Sequence, residues 1–325
     1  MLGHRLEAGH HQAGHQASTA VSVVCVASWN VDLIAHIPEP LRRGQTQLAT
    51  GFERQPGGKG SNAAIAAARM GANVGLIARV GGEDFGQMGF DLWQREGIDT
   101  SFVQRAANET NGTALILVYA DGDNSIAVYP GAGAGLTSAH VAGAGAMIQG
   151  AKVVMASCEV PLTATLAAFQ LAREAGVMTL LNPAPAIALP DELWPLVDVL
   201  TPNEEELFKL ANCQTPDLSM AANQLLQKGV GAVVVTLGDK GCALFRPGHE
   251  GHWVAGHAVT VKDTIGAGDT FTGALAANLS QGISWHASLQ SANAAAALST
   301  QAHGAVSAMP QKEQVASWLG TIMAT

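Results

Sequence analysis

The sequence has few basic residues and no basic run: 17 Lys and Arg stand against 26 Asp and Glu, a net charge of -9. A polyanion is held by clustered positive charge, so nucleic acid is excluded as the expected partner and small molecules are favoured. Cysteine is scarce too. Cys25, Cys158, Cys213 and Cys242 are widely spaced and lie mostly in apolar segments. That pattern argues against a disulfide framework or a zinc site and suits reduced thiols in a cytoplasm. No apolar stretch opens the chain: residues 1–20 hold His4, His10, His11 and His15 with little hydrophobicity. A secretory signal is therefore not expected there, and a disordered tail is. No membrane partner is expected, and no internal repeat stands out beyond Gly/Ala richness around Gly131 to Gly145.

What is present is a large core. With 325 residues and 48% hydrophobic content, the chain can bury one elaborated domain or two. Short β-branched runs alternate with helical patterns, which predicts an α/β fold with a largely parallel sheet flanked by helices. Val21 to Val26, Val74 to Ala78, Val153 to Met155, Val177 to Leu181, Val199 to Leu200 and Ala232 to Thr236 are the expected central strands. Functional loops should follow their carboxyl ends. Two segments break the alternation, about 33–55 and 101–129. In the second, Thr113 to Tyr119 and Ser125 to Tyr129 flank the turn Asp121-Gly122-Asp123-Asn124. These segments predict a small antiparallel sheet.

Two Gly-rich segments carry chemistry. In Lys262-Asp263-Thr264-Ile265-Gly266-Ala267-Gly268-Asp269-Thr270-Phe271, glycines ahead of a helix offer N-H groups to an anion. Asp269 sits in the first turn beside them. Phosphoryl transfer to an alcohol needs donors over the transferring oxygens and a carboxylate that takes the alcohol proton, roles that suit Gly266, Ala267 and Gly268 on one side and Asp269 on the other. A helix-capping Asp in a Gly-rich turn is the plainer alternative. The second segment is Pro56-Gly57-Gly58-Lys59-Gly60-Ser61-Asn62 before an Ala-rich run to Gly71, with Ser61 or Asn62 expected to start a helix that Gly71 ends. A Walker A loop lacks its Ser or Thr here. A dinucleotide fingerprint, superficially matched by Gly58, Gly60 and Ala63, should follow a buried strand, which Phe52 to Pro56 do not make.

With both segments in hand, the chain resembles the ribokinase-like (PfkB) carbohydrate kinases from about Val21 to Trp318. Further landmarks fall in that family's order: Asn30-Val31-Asp32, Asn182-Pro183-Ala184-Pro185-Ala186, Thr201-Pro202-Asn203-Glu204-Glu205-Glu206 and Thr236-Leu237-Gly238-Asp239-Lys240-Gly241. The resemblance implies one kinase domain over residues 21–325, with the small sheet as a lid over the sugar and as a homodimer interface. It implies transfer of the γ-phosphoryl group of ATP to a sugar, D-ribose first, with deoxyribose, fructose or a nucleoside as alternatives. A catalytically silent sugar-binding regulator and a nicotinamide-dependent oxidoreductase are the readings from other classes.

The resemblance also implies a division of labour. Asn30, Asp32, Gly58, Lys59, Asn62 and Glu159 would bind the sugar, whose vicinal hydroxyls need both donors and acceptors. Asn203 and Glu206 would organise Mg²⁺ and phosphate, with Thr236, Gly238, Lys240, Gly241, Gly268 and Asn293 on the nucleotide. Glu204 and Glu205 serve equally as dipole-stabilising neighbours. Asp263, Ile265, Ser299, Ala302 and Gly304 match positions that hold a monovalent cation, K⁺, mostly through carbonyls. Ala308 stands at a further such position where the family carries Ser.

Overall fold

The computed structural model describes residues 20–323, so the expected disordered tail lies almost wholly outside the described residues. Its strands are β1 Val23–Val26, β2 Asn30–His36, β3 Gly51–Gly57, β4 Val74–Gly81, β5 Asp99–Ala106, β6 Gly112–Val118, β7 Asn124–Tyr129, β8 Val153–Ser157, β9 Met178–Asn182, β10 Val199–Leu200, β11 Ala232–Thr236, β12 Gly241–Phe245 and β13 His252–Ala255. Nine of them make the main sheet in the order β13-β12-β11-β10-β9-β8-β1-β4-β5. It is parallel from β5 to β11, and β12 and β13 add an antiparallel edge.

Burial on both faces explains why the central strands are unbroken apolar runs. Successive side chains of β1 point to opposite layers. Val23 and Cys25 join the core beneath the helices Lys59–Arg69, Ala267–Ser280 and Trp285–Ser299, while Val24 and Val26 join the core beneath Leu162–Glu174. Trp29 and Trp93 meet edge to face at 5.2 Å, and their indole N-H groups donate to the Phe85 carbonyl and the Ser61 hydroxyl. Among the described residues no helix is long and apolar enough to cross a membrane.

The six expected strands all stand in the main sheet. The small sheet is also there, in the order β3-β2-β6-β7, with antiparallel outer pairs and a parallel junction between β2 and β6. Its boundaries differ from those expected. Residues 99–106 form β5 at the edge of the main sheet, because they pair with β4 and not with the hairpin. Phe52 to Pro56 do lie in a strand, β3, but one at the edge of the small sheet with three exposed residues in its middle. The first Gly-rich helix begins at Lys59, two residues ahead of Ser61. Gly58 takes the cap position at φ 95, packed so closely on the Ser28 carbonyl that a Cβ would stand 2.7 Å from its oxygen.

The helices Lys59–Arg69 and Ala267–Ser280 pack through small residues. Gly273 lies where any Cβ would overlap the Ala63 carbonyl oxygen and crowd Ala66. Gly273→Ala should therefore push the helices apart and cost about 1–3 kcal/mol of stability by overpacking. Urea unfolding measures that loss, and turnover should fall with it.

Candidate active site

Asp269 is the third residue of its helix and only 5% exposed. The Asn62 side-chain amide donates to its Oδ2 at 2.9 Å, and the Asn182 amide approaches Oδ1 at 3.5 Å. Burial is the largest influence on its carboxyl group and raises the pKa to about 6. Lys59 and the Asn62 hydrogen bond pull it back, and Glu159 and Glu206 push it further up. The result is a carboxylate ionised at neutral pH yet more basic than an exposed one, as a general base requires. Lys59 is the counter-charge. Burial alone would lower its pKa, but Asp269, Glu159, Glu206 and Asp32 together raise it and hold the ammonium charged.

The two helix starts that bear the Gly-rich segments differ in what they leave free. At the Lys59 helix, the Lys59 N-H donates to Glu159 Oε2 at 2.8 Å, the Gly60 N-H to the Ser28 hydroxyl at 3.1 Å and the Ser61 N-H to the Ser28 carbonyl at 3.1 Å. Ser28 in turn donates its hydroxyl to Glu159 at 2.7 Å. Those donors are spent. At the Ala267 helix, Ala267 N-H turns back to the Thr264 carbonyl, while the N-H groups of Gly268 and Asp269 have no partner among the described residues. Gly266 caps that helix at φ 75, and a Cβ on Gly268 would meet nothing within 4 Å. Open donors at a positive helix end beside a buried base form an anion site.

Of the expected sugar residues, Asp32 and Glu159 lie near enough to Lys59 to raise its pKa. Asn30 and Asp32 project from β2, the first strand of the small sheet, and the absence of side chains at Gly112 and Gly57 makes room for their polar ends. Asp32 is raised to about 6, first by burial, then by Glu159, against the pull of Lys59. Glu159 follows β8 and commits Oε2 to Ser28 and Lys59, leaving Oε1 without a partner among the described residues. Asn62 Oδ1 is buried with no partner there either. These unspent acceptors suit hydroxyl donors.

Asn203 and Glu206 form a reciprocal cap. The Glu206 N-H donates to Asn203 Oδ1 at 2.8 Å, and the Asn203 N-H to Glu206 Oε2 at 2.9 Å. Asn203 bridges to Thr236 at the end of β11, so these two nucleotide-side segments are neighbours. Gly238 and Gly241 turn the chain at φ 61 and 98 beside Lys240. Asn293 stands next to that turn, against the β13 residues that pair with Gly241 and Cys242. Its amide donates to the Val254 and Ala255 carbonyls, bracing the Trp285 helix against β13.

The two segments expected to hold a cation meet through Asp263, which accepts from the Ile265 N-H with one carboxylate oxygen and from the Gly304 N-H with the other, both at 2.9 Å. The carbonyls of Asp263, Ile265, Ala302 and Gly304 accept no hydrogen bond among the described residues. Ser299 spends its hydroxyl on the Ala296 carbonyl, and Ala308 offers no side-chain oxygen. Sequence reasoning left out Ser28 and Asn182 as site residues. Both were within reach, since Ser28 stands two residues before Asn30 and Asn182 opens a quoted motif.

A buried carboxylate at an open helix start, faced by a lysine and flanked by a second sheet that carries Asn30 and Asp32, suits a phosphotransferase site. The pfkB family carbohydrate kinase model matches residues 20–312. The chain belongs to that family. It is 37% identical over 298 residues to a ribokinase of Staphylococcus aureus, covering 90% of this chain and 98% of the relative. It is 31% identical over 303 residues to a deoxyribokinase of Salmonella typhi, covering 92% of this chain and 99% of the relative. An Arabidopsis thaliana ribokinase structure complexed with ribose and ATP superposes with a TM-score of 0.87 at 30% identity, covering 93% of this chain and 99% of that one.

Because the folded pKa of Asp269 lies above the ordinary aspartate value of 3.8, its contribution to stability is full below about 3.8 and lost as pH rises through about 6. Asp269→Asn should remove that slope and gain on the order of 1–2 kcal/mol relative to wild type between pH 5 and pH 8. Urea unfolding across that range tests the sign, and Asp32, present in both proteins, cancels. Wild-type turnover should fall as pH drops through about 6.

Proposed function

We propose that this chain transfers the γ-phosphoryl group of ATP to D-ribose and gives D-ribose 5-phosphate. The observation that carries the reading is the pairing of buried Asp269 with the unspent N-H groups of Gly268 and Asp269. Asp269 accepts the proton of the attacking hydroxyl, those N-H groups hold oxygens of the transferring phosphoryl, and Lys59 offsets charge beside them. Asn30, Asp32, Asn62 and Glu159 position the sugar. Asn203 and Glu206, with Thr236, Gly238, Lys240, Gly241 and Asn293, are assigned to the nucleotide side. The Staphylococcus aureus and Arabidopsis thaliana relatives support ribose, and the Salmonella typhi relative keeps deoxyribose as the second reading. A silent regulator is disfavoured because the base, its partners and the anion loop are all intact.

Glu206 fits a role toward Mg²⁺, since one of its oxygens is left over from the cap and its charge is felt at Asp269 and Lys59. Bound there, Mg²⁺ would neutralise phosphate charge, through water where it keeps its hydration. The cation loop fits K⁺ because its unspent groups are carbonyl oxygens; held there, the ion would fix the direction of the Gly266 to Gly268 backbone. Buried Cys25, Cys158 and Cys242, all unpaired, suit a cytoplasmic protein, and we take residues 21–325 as one kinase domain.

A coupled ADP assay over pentoses, hexoses and nucleosides tests the assignment, with ribose expected to give the highest kcat/KM. Asp269→Asn should lose roughly 10²–10⁴-fold in kcat with sugar affinity kept. Rates should be higher in K⁺ than in Na⁺ or a bulky organic cation at equal ionic strength, and equal rates would remove the cation from the scheme. A panel led by another sugar would overturn ribose.

The small sheet also supports a homodimer. Its outer strand β7 is exposed along its whole length, with Ile126, Val128 and Tyr129 each more than half exposed and one edge unpaired. Sedimentation should find a dimer that Val128→Glu shifts toward monomer, and a monomeric wild type would refute it.

A further inference from the structure

The catalytic loops occupy the carboxyl ends of the parallel strands, which leaves the opposite edge of the main sheet without a role. There β9 begins at Met178, Asp198 leads into β10, and antiparallel β12 ends at Phe245 and delivers Arg246. A groove of about 420 Å³ opens at this edge, lined by Arg173, Gly176, Met178, Asp198, Arg246 and Trp285 with their neighbours. That volume is enough for a small metabolite.

In a chain with 17 Lys and Arg and a net charge of -9, two guanidinium groups lining one groove are notable, and a single carboxylate there does not answer both. Asp198 gives Oδ2 to the Thr179 N-H at 2.9 Å and to its hydroxyl at 3.2 Å. Its Oδ1 goes to Arg173 at 2.9 Å, and Arg173 also donates to the Pro195 carbonyl at 3.0 Å. Arg246 remains, its guanidinium without a hydrogen-bond or ion-pair partner among the described residues. Trp285 packs partly on the core and presents the rest of its indole to the groove. It opens a 15-residue helix with no acid in its first turn, so the positive helix end adds to the same field.

We propose that this groove is a second binding site, remote from phosphoryl transfer, for a small phosphate monoester. The planar fork of Arg246 matches a phosphate bidentately, Arg173 adds charge beside it, and the indole of Trp285 offers an apolar wall to the body of the molecule. The proposal stands whichever sugar the kinase takes.

Calorimetric titration of the full chain with inorganic phosphate, ribose 5-phosphate and AMP tests it, using wild type, Arg246→Gln, Arg246→Lys and Trp285→Leu. Wild type should show a phosphate-dependent event that Arg246→Gln weakens at least about tenfold while kcat stays unchanged. Arg246→Lys, which keeps the charge and loses the fork, should fall between the two and guards against a folding failure. Tighter binding of AMP that Trp285→Leu abolishes would mark the source as a nucleotide, and equal binding of all three would mark the phosphate alone. Titrations identical in wild type and Arg246→Gln overturn the proposal, because phosphate held at the catalytic loop is untouched by that substitution.

Discussion

Gly273 carries no side chain, and the Ala63 carbonyl fills the space that one would take. Around that contact two helices approach through a surface of alanine and glycine, and everything the site does depends on how near they come. Asn62 lies in the first turn of one helix and Asp269 in the first turn of the other, 207 residues apart in sequence, and their side chains meet at 2.9 Å. A larger residue between the helices would leave the carboxylate without its amide partner. Lys59, one helical turn from Ala63, would also leave the carboxylates that hold it charged. Burying Asp269 is costly, and the close approach is what brings the groups that offset the cost.

The two Gly-rich segments look alike in sequence and do opposite things. Ser28 and Glu159 close the first helix start, so its donors hold the protein together and fix Lys59. The second start stays open because Gly266 turns the backbone through a left-handed conformation and Gly268 puts nothing in the way. Rigid support on one side and free donors on the other give a preorganised anion site, where binding and charge stabilisation need no rearrangement of the loop. Arg69 extends the support outward. It pairs with Glu96 and donates to the Val306 and Met309 carbonyls, which ties the first helix to the segment packed under Gly266.

Much of the fold was legible because burial on both faces writes a strong signal. The six central strands are short apolar runs, and no other element could hide them so completely. The hairpin was legible from Asp121 to Asn124 for a local reason, the turn residues. Residues 101–106 were misplaced because their mixed pattern suits either sheet, and only pairing with β4 decides between them. The start of the first helix was set two residues early by Gly58 pressing on Ser28, a contact between segments 30 residues apart.

The sequence by itself determined which residue types were available: two glycine turns, one aspartate at a helix start, a lysine and a set of amides, all readable because capping and turn chemistry are local. Only the tertiary structure decided which of them act together. It spent Asn293 on a hairpin, bound Glu206 into a cap, recruited Ser28 and Asn182, and raised Asp269 and Asp32 to about 6. Those outcomes turn on desolvation and on charges from distant segments, and both depend on distances that no local pattern encodes.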